Sequence, residues 1–233
     1  MKKLLVSDYD QTFYINDEDI EKNKIAVNEF RSKGNIFVIA TGRSYDDFMK
    51  KKNEYNIQYD YLIINHGATI LNKDDNIIFN EEITNEILDN LKSDLRIEDS
   101  ERNFCCSMLE SRVDLEHRDL TKIHVKYSDL EYSNEIQKKL KEKYNSFLNV
   151  YWVSGNSLEI ISKKINKSKA IKLLSEKIKI RQEEIYTIGD GYSDIEMVKD
   201  YNGYAIKEAV KELKEVAIDE IESVSDLIKK FEE

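Results

Sequence analysis

The chain has 233 residues, of which 36 are Lys or Arg and 46 are Asp or Glu, so its formal net charge is −10. This acidity disfavours nucleic acid as a partner, because the phosphate backbone would be repelled. With 40% hydrophobic and 35% charged residues and a mean hydropathy of −0.62, the composition is that of a globular protein with a polar surface. The length excludes a disulfide-stapled miniprotein and allows one or two domains with a real core.

No stretch predicts a membrane span or a secretory signal. The longest uninterrupted apolar run, 36–40, is far shorter than the roughly 18 residues that a span needs. Asp8 and Asp10 interrupt the basic start before an apolar signal region could form, so we expect a cytoplasmic protein without membrane contact. The two cysteines, Cys105 and Cys106, are adjacent and lack metal-ligand spacing, and we interpret them as reduced structural thiols.

The first third of the chain alternates strand and helix. The predicted strands are 3–7, 36–40 and 61–64, and the predicted helices are 17–33 and 44–55. Because such alternation is typical of parallel sheets, it predicts an α/β fold with a Rossmann-like, doubly wound parallel sheet. The segments 68–71 and 76–79 flank a polar tip, which predicts a hairpin that leads the chain away from that sheet.

The pattern changes in the middle of the chain and then returns. The middle of the chain indicates a separate α+β module. Its predicted parts are a helix at 83–95, a poorly periodic acidic stretch to 119, a strand at 122–127, a helix at 133–144, and a hairpin of 149–153 with 158–162 around Ser154-Gly155-Asn156-Ser157. The alternation resumes with 167–178, 185–188, 193–199 and 204–206, followed by two closing helices. We therefore expect a core domain of residues 1–82 and 163–233, interrupted by an inserted module at 83–162.

Acidic residues follow the first predicted strand. Asp8 and Asp10 lie two apart, so in an extended chain their side chains point the same way, towards the crevice at the carboxyl ends of the strands. Read in isolation, the same residues could be turn or helix-capping aspartates. Two more acids, Asp190 and Asp194, follow the strand at 185–188 in Gly189-Asp190-Gly191-Tyr192-Ser193-Asp194. Four carboxylates at the sheet end would repel one another without a cation, and Mg²⁺ is the predicted occupant.

Two further segments suit an anion. Thr41-Gly42-Arg43 ends the second strand before a helix and offers a hydroxyl and free backbone N–H groups, while Gly42 permits close approach. Lys167 follows Asn166 at a helix start and can place a cation against a bound phosphate. Each signal is weak alone, because most such residues are ordinary surface groups.

Together these motifs resemble a known family. Ser7-Asp8-Tyr9-Asp10-Gln11-Thr12, Thr41-Gly42-Arg43, Lys167 and the 189–194 segment match, in order, the four motifs of the haloacid-dehalogenase-like phosphatases. The inserted module, and the lead-in from Leu158-Glu159-Ile160 to Lys167, resemble the Cof-type subfamily with a type IIB α+β cap. The resemblance spans nearly the whole chain.

The resemblance implies a mechanism. Asp8 would attack phosphorus to form an aspartyl-phosphate, and Asp10 would protonate the leaving group and then activate water. Thr41, Gly42 and Lys167 would hold the phosphoryl group. Asp8, the backbone carbonyl of Asp10, and Asp190 would ligate Mg²⁺, with Asp194 bound directly or through water.

Several residues depart from the family pattern or have open roles. Gln11 stands where Gly is common, Ser193 where Asn is usual and His66 where an Asn-Gly turn is usual; Lys207-Glu208 stands where Asn precedes the Ala. We expect surface or structural roles for His117 and His124, and packing inside the cap or a place at the substrate entrance for Tyr151 and Trp152. Arg43 either touches substrate or caps the following helix, and the acidic run 98–101 is interpreted as a solvated loop.

The leading hypothesis is a Mg²⁺-dependent phosphatase acting on small phosphorylated metabolites, with sugar phosphates favoured. A phosphomutase of the phosphomannomutase type is the alternative, since such enzymes share the motifs and the cap type. A receiver-like phosphorylation switch ranks below both, because receiver domains are shorter and lack a cap. The expected partner is a small phosphate ester, with no nucleic acid or membrane, and the expected state is a monomer or a small homo-oligomer.

Overall fold

The computed structural model describes residues 2–153 and 155–231. Its strands are β1 (Leu4–Ser7), β2 (Ile36–Ala40), β3 (Tyr61–Ile64), β4 (Thr69–Asn72), β5 (Ile77–Asn80), β6 (Ser100–Ser107), β7 (Glu110–Val113), β8 (Lys122–Tyr127), β9 (Leu148–Trp152), β10 (Ser157–Ser162), β11 (Ile185–Gly189), β12 (Asn202–Ile206) and β13 (Asp219–Ile221). Its helices are α1 (Asp17–Ser32), α2 (Tyr45–Tyr55), α3 (Asn85–Asp94), α4 (Leu130–Tyr144), α5 (Lys167–Ile178), α6 (Ile195–Asp200), α7 (Lys211–Lys214) and α8 (Val224–Lys230).

The first sheet has eight strands in the order β13-β12-β11-β1-β2-β3-β4-β5. The six strands from β13 to β3 run parallel, and β1 lies between β11 and β2 with every residue buried. Helices α1, α2 and α8 pack against one face and α5, α6 and α7 against the other, which explains why Leu4-Leu5-Val6 is apolar without alternation. The predicted doubly wound α/β fold is confirmed.

The hairpin β4–β5 differs from the prediction. It does not leave the first sheet: β4 pairs antiparallel with β3, and β5 pairs with β4 at the edge. The reason is that Thr69, Ile70 and Leu71 are all buried, so β4 needs a covering layer on both faces and backbone partners along its edge. The polar tip after β4 remains an exposed turn, as expected.

A second, antiparallel sheet has the order β7-β6-β8-β10-β9, and helices α3 and α4 bury an apolar cluster against it. Two of its strands, β6 and β7, lie in the stretch that was predicted to be irregular, so the interpretation of Glu101 as part of a solvated loop is wrong. The regular alternation that would have revealed β6 is broken by irregularities after Ser100 and after Cys105. Both cysteines are buried and unpaired, which agrees with structural thiols.

Smaller differences concern single elements. The short edge strand β13 was not predicted, and α4 begins three residues earlier than the pattern indicated, because Asp129 caps it by accepting a hydrogen bond from the Tyr132 N–H. The predicted turn of the β9–β10 hairpin includes Ser154, which lies outside the described residues. Within 2–153 and 155–231, no helix has the length and apolar character that crossing a membrane requires.

Candidate active site

The carboxyl ends of two neighbouring parallel strands place the first two acids. β1 and β11 are paired in register with Ser7 opposite Ile188, and the Asp8 N–H donates to the Ile188 carbonyl at 3.0 Å. Asp8 and Asp190 therefore leave adjacent strands at the same edge of the sheet. Asp8 is buried, being only 6% exposed.

The third acid, Asp194, is fixed by the turn after β11. Its Oδ2 accepts hydrogen bonds from the backbone N–H groups of Asp190 and Gly191 at 3.2 and 3.1 Å. A Cβ on Gly189 would stand 2.6 Å from the Asp194 Cβ, so glycine is required there. Carboxylate oxygens of Asp8, Asp190 and Asp194 lie within 4.8 Å of one another. The structure thus brings together three of the four predicted acids.

Lys167 is the cation of this cluster. It opens α5, is 1% exposed, and donates from Nζ to Asp8 Oδ1 at 2.5 Å and to Asp194 Oδ1 at 2.6 Å. Its helix is capped by Asn166, whose side chain accepts from the Lys169 N–H. Burial alone would lower the pKa of Lys167, but Asp194 and Asp8 raise that pKa above its ordinary value. The ammonium is held charged against the carboxylates.

The cluster fits a hard divalent cation. The Thr12 hydroxyl donates a hydrogen bond to Asp190 Oδ1 at 2.7 Å. Among the described residues, no group donates a hydrogen bond to Asp8 Oδ2 or Asp190 Oδ2. Burial raises the pKa of Asp8 well above its usual range and, with the neighbouring Asp194, raises the pKa of Asp190 to about 6. Negative charge is therefore in excess of what Lys167 compensates, and two free carboxylate oxygens face a site that Mg²⁺ favours.

Asp10 is placed differently from its expected position. Its carboxylate forms a bidentate ion pair with Arg43. The Arg43 Nε donates to Oδ2 at 2.8 Å, and a terminal guanidinium nitrogen of Arg43 donates to Oδ1 at 2.7 Å. It is not among the three clustered carboxylates. The expectation of parallel side chains assumed an extended chain, but β1 ends at Ser7 and a turn follows. Asp10 still lines the same cleft as Asp8.

The segment after β2 lies at the same edge. Thr41 is 1% exposed, and its Oγ1 accepts from the Arg43 N–H at 3.1 Å. Among the described residues, no group accepts a hydrogen bond from the Gly42 N–H. A Cβ on Gly42 would stand 2.4 Å from the His66 ring, so this position requires glycine. Arg43 does not cap α2; its guanidinium binds Asp10 and lies 5.4 Å from the centre of the Tyr9 ring.

A buried polar network joins the second sheet to this edge. Lys122 donates from Nζ to the Gly42 carbonyl at 2.5 Å and to Glu159 Oε1 at 2.9 Å. The other Glu159 oxygen contacts His66 Nε2 at 2.5 Å, and His124 Nδ1 contacts Oε1 at 3.1 Å. Burial alone would raise the pKa of Glu159, but Lys122, His124 and His66 hold that pKa well below its usual range. Burial lowers the pKa of His66.

Sequence reasoning missed Lys122 and Glu159 as members of the site. The signal was a buried charged residue in each of two strands: Lys122 begins β8, and Glu159 is the one charged residue of β10, whose residues are all buried. Their partnership becomes visible only once β8 and β10 are paired, with Glu159 opposite His124. His124 is buried beside Glu159, and His117 is exposed.

The two sheets together enclose a cleft of about 600 Å³. Its lining includes every predicted acid, Gly42, Arg43, Lys167 and, from the second sheet, Trp152. Tyr151 packs against the His66 ring with 4.9 Å between the ring centres. Trp152 therefore lies at the cleft wall, while Tyr151 packs at the junction of the two sheets.

The sequence matches a known protein family and several known proteins. A family described as haloacid dehalogenase-like hydrolase matches residues 5–113 and 90–226. A protein of Mycoplasma capricolum named only as uncharacterized is 29% identical over 89% of this chain and 91% of its own length. The 5-amino-6-(5-phospho-D-ribitylamino)uracil phosphatase YcsE of Bacillus subtilis is 26% identical over 92% of this chain and 88% of its own length.

Among solved structures, a haloacid dehalogenase-like hydrolase of Bacillus subtilis matches with a TM-score of 0.86 and 18% identity, over 97% of this chain and 99% of that chain. At this level of identity the likeness concerns the fold. It extends over both sheets, because almost the whole of each chain is covered.

Proposed function

The chain belongs to the haloacid dehalogenase-like hydrolase family, and from this premise we propose that it is a Mg²⁺-dependent phosphatase that hydrolyses small phosphorylated metabolites, in particular sugar phosphates. The predicted enzyme class, a phosphatase-type hydrolase, agrees with that membership. One observation carries the proposal above all: a fully buried Lys167 touches both Asp8 and Asp194 beside two free carboxylate oxygens.

Asp8 is the proposed nucleophile. A carboxylate oxygen of Asp8 attacks phosphorus, the ester P–O bond breaks, and the leaving oxygen takes a proton from Asp10. Water then attacks the phosphorus of the aspartyl-phosphate and gives a proton to Asp10. This step breaks the bond between phosphorus and the Asp8 oxygen, releases inorganic phosphate and restores Asp8. In this structure both oxygens of the Asp10 carboxylate accept hydrogen bonds from Arg43. The first step requires that this pair be broken in the substrate complex.

The phosphoryl group would be held by residues that the fold has already fixed. Lys167 supplies a charge that does not need to be desolvated on binding, and Thr41 and Gly42 supply a hydroxyl and a backbone N–H at the same edge. These donors are rigid, because Thr41 is buried and the Gly42 carbonyl is tied to Lys122. Such preorganised donors stabilise charge that develops on the phosphoryl oxygens in the transition state.

The metal site would be built from Asp8, Asp190, Asp194 and the backbone carbonyl of Asp10. When bound, Mg²⁺ would offset the repulsion between the Asp8 carboxylate and the phosphate and polarise a phosphoryl oxygen. Asp194 already accepts hydrogen bonds at both oxygens, which favours a role through water or as the support that orients Lys167 and the turn after β11.

Residues 83–162 would act as a cap over a core of residues 1–82 and 163–233. The placement of the second sheet over the cleft favours this division, since its residues form one wall of the enclosed volume. A cap in that position would exclude water from the reacting phosphate. The proposed partner is a small phosphate ester, bound by a monomer or a small homo-oligomer.

The leaving group is proposed to be a sugar or a related polyol. The similarity to YcsE, whose name specifies a phosphorylated ribityl compound, is in line with a phosphate on a hydroxylated carbon chain. The phosphomutase alternative has no observation in its favour, and a product assay that follows phosphate position as well as free phosphate would separate the two reactions.

The proposal is tested by phosphate release. Purified enzyme is assayed with p-nitrophenyl phosphate and a panel of sugar and polyol phosphates, with Mg²⁺ or with EDTA. We expect Mg²⁺-dependent release that Asp8→Asn abolishes, by at least 10³-fold as expected for a lost nucleophile. Asp74→Asn, at the exposed tip of the β4–β5 hairpin, is the matched control and should keep full activity. Activity that survives Asp8→Asn, or no release from any ester, contradicts the proposal.

A further inference from the structure

The wall that the second sheet contributes to the cleft is positively charged. Arg102, Arg112 and Lys122 line it, against the single carboxylate of Glu159. The chain as a whole carries a formal charge of −10, so this concentration of cations is local. Cations in a cleft attract anionic ligands and fix their orientation. The residues proposed to hold the reacting phosphate belong to the core wall of the cleft. Arg102 and Arg112 belong to the wall of the second sheet, where the leaving group of the ester would lie.

One of these cations has no partner within the described part of the chain. The Arg102 side chain is exposed and makes no hydrogen bond or ion pair with any residue of the described ranges. Arg112 is held loosely: its guanidinium lies 4.6 Å from the centre of the Phe104 ring and is 3.4 Å from Asp47. A guanidinium presents a planar fork of donors that matches a carboxylate or a phosphate, so both residues are suited to an anion.

A buried imidazole lies beside them. Phe104 is directly opposite His124 in the β6–β8 pairing, and their rings stack with 4.6 Å between centres. His124 is 6% exposed, and its Nε2 is a buried polar atom without a partner among the described residues. Since a carboxylate only accepts, Nδ1 donates to Glu159, and Nε2 is the ring nitrogen left without a partner. An unpaired buried ring nitrogen is costly, and a hydroxyl group of a ligand, which can donate or accept, would satisfy it.

These observations locate a leaving-group site with two kinds of recognition. Arg102 and Phe104 are two apart in β6 and lie on the same face, so the free guanidinium and the Phe104–His124 stack are neighbours on one wall. We infer that this wall binds a leaving group that carries both a hydroxyl and a second anionic group. The preferred substrates are then phosphorylated sugar acids or sugar bisphosphates, an inference that rests on the proposed phosphatase function.

Matched substrate pairs test the inference. Sorbitol 6-phosphate is compared with 6-phosphogluconate, in which a carboxylate replaces the C1 hydroxymethyl group, and fructose 6-phosphate with fructose 1,6-bisphosphate, which adds a phosphate. We expect at least one of the two charged substrates to have a kcat/KM about tenfold or more above that of its neutral partner, as for a charge-assisted hydrogen bond. Which pair shows the preference identifies the anionic group. Equal kcat/KM values within both pairs overturn the inference.

Variants separate recognition from general damage. Arg102→Gln should lower the ratio of kcat/KM between charged and neutral substrate at least fivefold. Arg118→Gln removes another exposed arginine of the same segment, paired with Asp89 and outside the cleft, and should leave the ratio unchanged. A loss of activity in Arg102→Gln that is equal for both substrates of a pair overturns the assignment.

The two levels of the proposal fail in different ways. If p-nitrophenyl phosphate and the neutral sugar phosphates are hydrolysed in an Asp8-dependent manner without any preference for a second anion, only the leaving-group site is wrong. If no ester is hydrolysed, both the proposed phosphatase function and the leaving-group site are wrong.

Discussion

Gly67 lies directly against the backbone of Asn166. A Cβ added to Gly67, whose φ is +111°, would stand 2.5 Å from the Asn166 carbonyl carbon and oxygen and 3.0 Å from the Lys167 nitrogen. Cβ atoms are not found so close to backbone atoms, so any side chain at this position must displace the start of α5. The turn after β3 and the position of the buried ammonium are therefore linked through contact.

Gly67→Ala is expected to reduce phosphatase kcat/KM at least tenfold, because a shift of about 1 Å in Lys167 misplaces its ammonium relative to the phosphate. The change is checked by steady-state kinetics on one ester and by urea unfolding. Gly34→Ala is the control: Gly34 also has a positive φ, +86°, but open space around its Cβ position. It should lose about 1 kcal/mol of stability and keep its activity. Equal activity loss in both variants would contradict a specific contact.

Lys122→Met is expected to destabilise the fold strongly. Lys122 is 2% exposed, and its removal leaves the Glu159 carboxylate buried without its nearest cation. Breaking a buried pair in this way costs about 3–5 kcal/mol, measured as the change in the free energy of unfolding in urea. Lys126 lies on the same strand as Lys122, and Lys126→Met breaks its exposed pair with Glu101 of β6, which should cost less than about 1 kcal/mol. Similar losses in the two variants would show that the buried network is not coupled to stability.

The pH dependence of stability is expected to show the contribution of Asp94. Burial alone would raise its pKa, but hydrogen bonds from Lys143, Tyr144 and Lys139 lower the pKa to about 2. A folded-state pKa below the unfolded value of about 3.9 means stability that is present above pH 4 and lost as the pH falls towards 2.

Asp94→Asn should therefore be less stable than wild type at pH 7, by at most about 2 kcal/mol, and the difference should shrink between pH 4 and pH 2. Urea unfolding at a series of pH values measures it. Asp89→Asn, in an exposed pair with Arg118, is the control and should change little. A difference between wild type and Asp94→Asn that stays constant down to the acid transition would refute the assignment.

Gln11 stands in the left-handed region with a φ of +60°. Glycine is common at this position of the family motif, and the backbone conformation gives the physical reason. Gln11→Gly is expected to stabilise the fold by about 0.5–1 kcal/mol, because relief of the strain exceeds the entropy that glycine adds to the unfolded chain. Lys73→Gly, in a turn position without a positive φ, should be destabilising by a similar amount. Destabilisation by both changes would mean that Gln11 is not strained.

Much of the fold could be predicted because its signals are local. The runs 36–40 and 61–64 coincide with β2 and β3, and the segment 167–178 coincides with α5. Each is a short apolar run or an amphipathic stretch bounded by a capping residue or a change of pattern. The family motifs are local as well, and the family they suggest is confirmed by the match over residues 5–113 and 90–226.

The parts that could not be predicted depend on pairing between distant segments. β6 has irregular alternation, and only its pairing with β8 identifies it as a strand. Lys122 and Glu159 are 37 residues apart, and nothing in either neighbourhood specifies the other. Asp10 was expected to point with Asp8, but the turn after Ser7 and the distant Arg43 determine its direction.

The short connection from β10 to α5 sets a mechanical limit on the enzyme. Residues 163–166 alone separate Ser162 from Lys167, and five Cα steps extend to at most about 18 Å. Asn149 shortens this reach further, because its side-chain amide donates to the Ile165 carbonyl at 2.8 Å. The second sheet cannot move far on this side without displacing Lys167, so any wide opening of the cleft must pivot at this connection.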